Sequence, residues 1–181
     1  MKFHQIASLL GIGCFGFMLI GAISSHGQAA SEQASAADKA FVKDALKGGK
    51  AEVDLGQLAS KKGNSEEVKQ FGQKMVEDHT KLGDHMAGVA SQIGVDPPST
   101  LSPKDKALKL KLESLSGDAF DKAYINAMVA DHQKDLADFR KEVTNGTSPT
   151  VKTAAKDGEH VIAMHLEMIQ KIAQSHNLAA K

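Results

Sequence analysis

Met75-Val76-Glu77-Asp78-His79 returns fifty-three positions later as Met128-Val129-Ala130-Asp131-His132, with an aromatic four residues before each methionine (Phe71, Tyr124) and a lysine two residues after each histidine (Lys81, Lys134). Around the first copy, Val68, Gly72, Met75, His79, Leu82, Met86, Val89 and Ile93 follow three-four spacing, the signature of a helix with one face turned to partners. Around the second, Ile125, Met128, His132, Leu136, Phe139 and Val143 form the equivalent stripe. Each stripe carries a histidine where a leucine belongs.

Two more stripes complete a bundle. Val151, Ala155, Gly158, Ile162, His165, Ile169 and Ile172 form one, interrupted by His165. Phe41, Ala45, Gly48, Glu52, Leu55 and Ala59 form the other, with Glu52 in the seam and Val42, Leu46 and Val53 marking a neighbouring face. Punctuation sets the predicted bounds. The first helix spans Asp38 to Lys62 before Gly63, and the second has Asn64 as N-cap with Glu67 three residues on and runs to Ile93. The third runs from Asp118 to Val143, and the fourth from Ser148-Pro149 to Ser175. Between Gly94 and Gly117 lies a long crossover, in which Pro97-Pro98 forces extended chain and Ser102-Pro103 opens a short helix ending near Leu115. Such a crossover separates ferritin-like and cytokine-like bundles from plain up-down ones. No run alternates as a strand does, so the class is all-α, a four-helix bundle over residues 38–176 with a tail at 177–181.

With 181 residues, 41% hydrophobic and 24% charged, the chain has the profile of one globular domain. Net formal charge is zero with both signs interspersed, so no surface asks for nucleic acid or for anionic lipid. Lys2, the apolar run from Ile6 to Ile23 and the small residues up to Ala29 read as a signal peptide over 1–29, giving a periplasmic or outer-envelope location; the alternative is a single N-terminal membrane anchor. Residues 30–37 read as a disordered lead. Gly13-Cys14 is no lipidation box, because Phe15 to Ile20 stays apolar where a lipidated chain turns polar. Cleavage after Ala29 leaves no cysteine, so packing alone must stabilise the domain.

Function turns on the misplaced groups. An unpaired buried carboxylate costs several kcal/mol and an unpaired imidazole about 1–3 kcal/mol. Four of them, Glu52, His79, His132 and His165, would offset most of a domain's net stability of about 5–15 kcal/mol. They need each other or a cation, and three imidazoles with a carboxylate suit one zinc, copper, iron or manganese ion. Asp78 and Asp131 read as carboxylates that hold imidazole tautomers from behind. Level along the bundle tests this: His132 and His165 lie at similar distances from Thr147, whereas Glu52 and His79 are mismatched about Gly63 by roughly 7 Å. His85 and His160 fall off the stripes as solvated residues, and Met75, Met86 and Met128 read as core filler.

Ala51-Glu52-Val53-Asp54-Leu55-Gly56-Gln57-Leu58-Ala59, the two Met-Val-x-Asp-His copies, Leu115-Ser116-Gly117-Asp118-Ala119-Phe120-Asp121 and His165-Leu166 together resemble a family of uncharacterised bacterial exported proteins. That family is labelled a predicted outer-membrane protein with a domain of unknown function and is grouped with ferritin-like bundles. The resemblance implies a ferritin-like four-helix bundle in the cell envelope and little about activity. Gly158-Glu159 stand where such proteins often carry proline. No Glu-x-x-His motif precedes any seam histidine, which argues against a carboxylate-bridged di-iron oxidase. The leading reading is an exported metal-binding bundle with no protein partner indicated. A metal-free envelope or stress protein with a polar core is the alternative, and a metal-dependent oxidoreductase a lesser one.

Overall fold

The computed structural model describes residues 33–178; the leader expected over 1–29 lies outside the described residues, as do residues 30–32 and 179–181. Five helices follow in order: α1 (Ala36–Lys62), α2 (Glu66–Ile93), α3 (Pro103–Glu113), α4 (Gly117–Asn145) and α5 (Pro149–Ser175), and no strand occurs among the described residues. None of these helices is long and apolar enough to cross a membrane.

Side-chain caps decide where the helices start. Ser35 and Asp38 exchange hydrogen bonds, with Asp38 N–H donating to Ser35 Oγ at 3.1 Å and Ser35 N–H to Asp38 Oδ2 at 2.6 Å. This box starts α1 at Ala36, two residues ahead of the expected Asp38. The cap of α2 is Ser65 and not the expected Asn64. Asn64 is diverted because the fully buried Asp121 of α4 needs donors: it accepts the backbone N–H groups of Asn64 and Ser65, both at 2.8 Å. Glu67, expected to complete that cap, accepts the Ser175 hydroxyl instead at 2.8 Å. Ser102 and Ser148 cap α3 and α5, each followed by a first-turn proline.

Two buried carboxylates thereby settle the topology. Asp121 ties the start of α4 to the α1–α2 turn, and Asp38 accepts the backbone N–H and hydroxyl of Thr147 at 2.9 and 2.5 Å, tying the α4–α5 turn to the start of α1. Helices α1 and α5 each pack between α2 and α4. All neighbours are therefore antiparallel, and the diagonal pairs α1/α5 and α2/α4 run parallel. The crossover carries α3 across α1 and α4, where Lys109 meets Asp54 at 3.2 Å. This is the ferritin-like arrangement with a helix in the long crossover.

Packing fills the bundle from both ends toward a polar middle. Near the α1–α2 turn, Leu55, Val68, Phe71, Met75, Phe120, Tyr124, Met128 and Ile169 form one cluster. At the opposite end, Val42, Met86, Val89 and Val151 form another. Helices α1 and α2 approach backbone to backbone: a Cβ at Gly72 would stand 2.7 Å from both Gly56 O and Ser60 N. Gly72→Ala therefore forces the helices apart and should cost about 1–3 kcal/mol. At Gly88, on the same helix, an added methyl group would meet nothing within 4 Å. Gly88→Ala should raise stability by about 0.8–1 kcal/mol, and denaturant melts of the two variants check the opposite signs.

At the Thr147 end, Glu142 is 7% exposed and shares a hydrogen bond with Asp38. Burial, then that bond and the Asp38 charge, push the Glu142 carboxyl up to about 7. Burial also raises Asp38, but the bonds from Thr147 and Ser35 outweigh it and hold Asp38 well below the ordinary carboxylate range. The folded chain thus keeps a Glu142 proton that the unfolded chain releases near 4.5. Its contribution is complete below that value and is lost as pH rises through about 7. Thermal melts between pH 4.5 and 8 should show Glu142→Gln gaining on the parent as pH rises.

Candidate metal centre

Glu52, His79, His132 and His165 meet in the middle of the bundle, with 3%, 2%, 0% and 0% of their surface exposed. Counting from Gly63, Glu52 lies eleven residues before and His79 sixteen after. The Gly56–Gly72 contact pairs residues seven before and nine after, which cuts the offset to about 4.5 Å at 1.5 Å per residue. Side chains lean toward the N-terminus of their own helix. In an antiparallel pair, Glu52 therefore leans away from the turn and His79 toward it. Oε2 of Glu52 ends 2.9 Å from His79 Nδ1, and α1 needs no bulge to bring it there. The same convergence brings His132 and His165 together, with ring centroids 5.7 Å apart.

Hydrogen bonds assign the ring protons. The Met128 carbonyl can only accept, so His132 Nδ1–H donates to it at 3.0 Å, leaving Nε2 bare. Asp78 is ionised: burial raises its pKa, but the bonds from Lys74 and His165 lower it further than that. His165 Nε2–H donates to Asp78 Oδ2 at 2.8 Å, so its Nδ1 accepts from His79 Nε2–H at 3.1 Å. His79 Nδ1 then faces the Glu52 carboxylate, the place for a second proton on that ring. Burial lowers the His79 pKa, and the Glu52 charge more than reverses it, so the net shift is upward. Burial pulls His132 down, and burial together with the His79 charge takes His165 to about 4. For Glu52, burial raises the pKa but the three imidazoles, His79 foremost, bring it to about 2. Glu52 thus makes His79 the ring of the three that favours an extra proton.

The cluster is not saturated. Glu52 Oε1, His79 Nδ1 and His132 Nε2 are buried without a hydrogen-bond partner. The bare His132 Nε2 lies 3.6 Å from Glu52 Oε1, acceptor against acceptor. The 2.9 Å approach of Glu52 to His79 is an ion pair without hydrogen-bond alignment. A nitrogen from each of the three imidazoles lies within 4.8 Å of the other two. Two nitrogens sharing a tetrahedral zinc-like ion stand about 3.3 Å apart, close to the 3.1 Å already found between His79 and His165. The donor set and its unmet lone pairs fit a cation.

The two aspartates of the repeat part company. Asp78 cannot turn to His79, because adjacent residues on a helix point about 100° apart; it orients His165 across the bundle instead. Asp131 orients no seam imidazole through a hydrogen bond, and its Oδ1 lies 4.0 Å from Lys104 Nζ. Asp131 groups with Glu52 and with Asp135, a residue that the stripe reading passed over. Burial first, then the neighbouring Asp135 and Glu52 charges, push Asp131 up to about 7. The signal for Asp135 was available: it follows Asp131 by four residues, hence on the same helix face. His85 and His160 are exposed, as expected of residues off the stripes. Tyr124 OH is a further buried group without a partner.

A family profile described as "Domain of unknown function (DUF4142)" matches residues 24–172. No curated protein matches the chain in sequence. Among solved structures, the chain is similar to a DUF305 fragment from Deinococcus radiodurans, with TM-score 0.70 and 14% identity over 79% of this chain and 99% of that one. It is also similar to a putative secreted DUF305 protein from Streptomyces coelicolor, with TM-score 0.68 and 15% identity over 84% and 99%. A third is CopM in the Cu(I)-bound form, with TM-score 0.63 and 18% identity over 76% and 96%. At these identities the likeness is one of fold.

Long-range proton–nitrogen NMR of chelator-treated protein at pH 7 should show His132 as the Nδ1–H tautomer, His165 as the Nε2–H tautomer and His79 doubly protonated. Glu52→Gln should strip the second proton from His79, since the carboxylate is what raises its pKa. A neutral His79 in the parent would overturn the assignment.

Proposed function

The chain belongs to the DUF4142 family of unknown function, and from that premise we propose that it is an exported bundle binding one transition-metal ion through His79, His132 and His165. Glu52 supplies a fourth ligand or the balancing charge, and Asp78 fixes the His165 ring. The observation that carries this reading is the pair of unpartnered buried atoms Glu52 Oε1 and His132 Nε2 beside the His79–His165 nitrogens at 3.1 Å. Imidazole and carboxylate donors suit divalent zinc, copper, iron or manganese. CopM, of similar fold, has a solved structure in the Cu(I)-bound form, which supports the scaffold as a metal carrier. Export rests on the charged and apolar N-terminus and on the similar fold of a protein described as a putative secreted protein. We assign no catalytic residue.

Metal and proton compete for the same nitrogens. An ion between His79 Nε2 and His165 Nδ1 displaces the proton that lies between them, and neutral imidazoles are the form that binds. Protein purified without a histidine tag should hold one equivalent of metal at pH 7.5, release about one proton per ion bound, and lose the ion below about pH 6 with a fall in melting temperature. Calorimetry in buffers of different ionisation enthalpy counts the proton. A single transition indifferent to chelator and to all four metals would remove the proposal.

A second reading has its own support: Glu52, His79, His165 and Asp78 form a continuous chain that one proton completes, as in a polar core that only fixes helix register. His79→Leu separates the two. Metal content falls to zero under the first reading, whereas under the second no metal is present to lose and stability is kept or rises.

A further inference from the structure

Beside the imidazoles lies a group of carboxylates of which the histidine site uses only Glu52. One oxygen each of Glu52, Asp131 and Asp135 lies within 4.8 Å of the other two. Glu52 is 3% exposed and its Oε1 has no hydrogen-bond partner. Apart from His79, the nearest cations stand on the rim. Lys104 is 4.0 Å from Asp131 with its side chain 75% exposed, and Lys134 is 3.0 Å from Asp135 with its side chain 62% exposed. Neither reaches the buried oxygen of Glu52 among the ion pairs of the described residues.

Access is built in. Asp135 lines a groove of about 340 Å³ between α1 and α4, open to solvent and carrying Asp44 and Asp138 as well. It also lines the small void next to Glu52 and His79. On the α1 side of that void stands Gly49, and a methyl group built on it would meet nothing within 4 Å. Asp135 thus lines both the groove, where Lys134 and Lys141 stand beside the acids, and the void of about 10 Å³ at Glu52, which an ion reaches only by shedding water.

We propose that Glu52, Asp131 and Asp135 form a second cation site, adjoining the imidazoles and sharing Glu52 with them, for a hard divalent ion of calcium size. Three oxygens spaced around a calcium ion at 2.3–2.6 Å stand at most about 4.0–4.5 Å apart, inside the 4.8 Å within which the three lie; magnesium demands near-ideal octahedral geometry and gives up water reluctantly, which suits a partly buried site less well. With one oxygen each, three carboxylates supply at most half of a calcium ion's 6–8 oxygens, water supplying the rest, so the affinity expected is that of a weak module, about 10⁻⁴–10⁻³ M. All-oxygen coordination sets this site apart from the nitrogen-rich one. The proposal does not require the imidazoles to be loaded.

The test is titration of the full chain with calcium chloride, with and without one equivalent of zinc, read by calorimetry and by backbone amide NMR. The expected result is one calcium equivalent with amide shifts concentrated at Gly48 to Glu52 and Asp131 to Asp135. In Asp131→Asn/Asp135→Asn, calcium affinity should fall at least tenfold while zinc stoichiometry is kept. In His165→Gln, calcium binding should persist even if zinc binding is lost, so failure of one site is distinguishable from failure of the other. Absence of calcium binding up to about 5 mM in the parent overturns the proposal, as do shifts centred elsewhere. A doubly substituted chain that melts normally and still binds calcium with parental affinity also overturns it. If that chain fails to fold, the parent's shift map alone decides.

Discussion

The Glu52 carboxylate sits in a dry interior, and most of what surrounds it answers to that fact. A lone charge there costs several kcal/mol, so something positive must stand beside it. His79 takes that role, at 2.9 Å, and the ring is oriented by His165, which is oriented in turn by Asp78. The order α1, α2, α5 and back to α2 is thus bound by one run of polar contacts. His132 closes the group from α4, its ring set by the Met128 carbonyl one turn earlier.

Buried acids elsewhere in the bundle show what a purely structural solution looks like. Asp121 and Asp38, both 0% exposed, have their oxygens taken by backbone and hydroxyl donors from a neighbouring turn. Those contacts hold the two ends shut and leave nothing over. Glu52 differs in kind: it meets imidazoles instead of backbone donors and keeps an oxygen unpaired. Glu142, at the Thr147 end, also keeps an oxygen unpaired, but burial and Asp38 raise its pKa so that it holds a proton, whereas Glu52 stays ionised against imidazoles.

Much of this was legible in the chain because helical periodicity exposes an intruder. His79, His132, His165 and Glu52 each interrupt a three-four stripe, and all four arrive in the centre. What periodicity does not carry is direction. A stripe treats residues as level discs, so Glu52 looked too near its turn; the lean of side chains along antiparallel helices and the Gly56–Gly72 contact supply the missing few ångströms. Long-range capping was also hidden, since Asn64 reads as a local N-cap until Asp121, fifty-seven positions away, claims its backbone. Asp135 escaped notice because it lies beside the apolar stripe, where acids on a solvated face are ordinary.

The repeat of Met-Val-x-Asp-His lies on α2 and α4, a diagonal pair running the same way. Equal wording has come to unequal meaning: one histidine rests against a glutamate and the other against its own preceding turn, one aspartate steadies a ring and the other joins a carboxylate group. The bundle therefore has a left hand and a right hand built from the same phrase, and a ligand entering it meets two different chemistries on its two sides. For anyone wishing to retune such a pocket, the near-symmetric frame offers paired positions that can be exchanged one at a time, with the unaltered copy as internal reference.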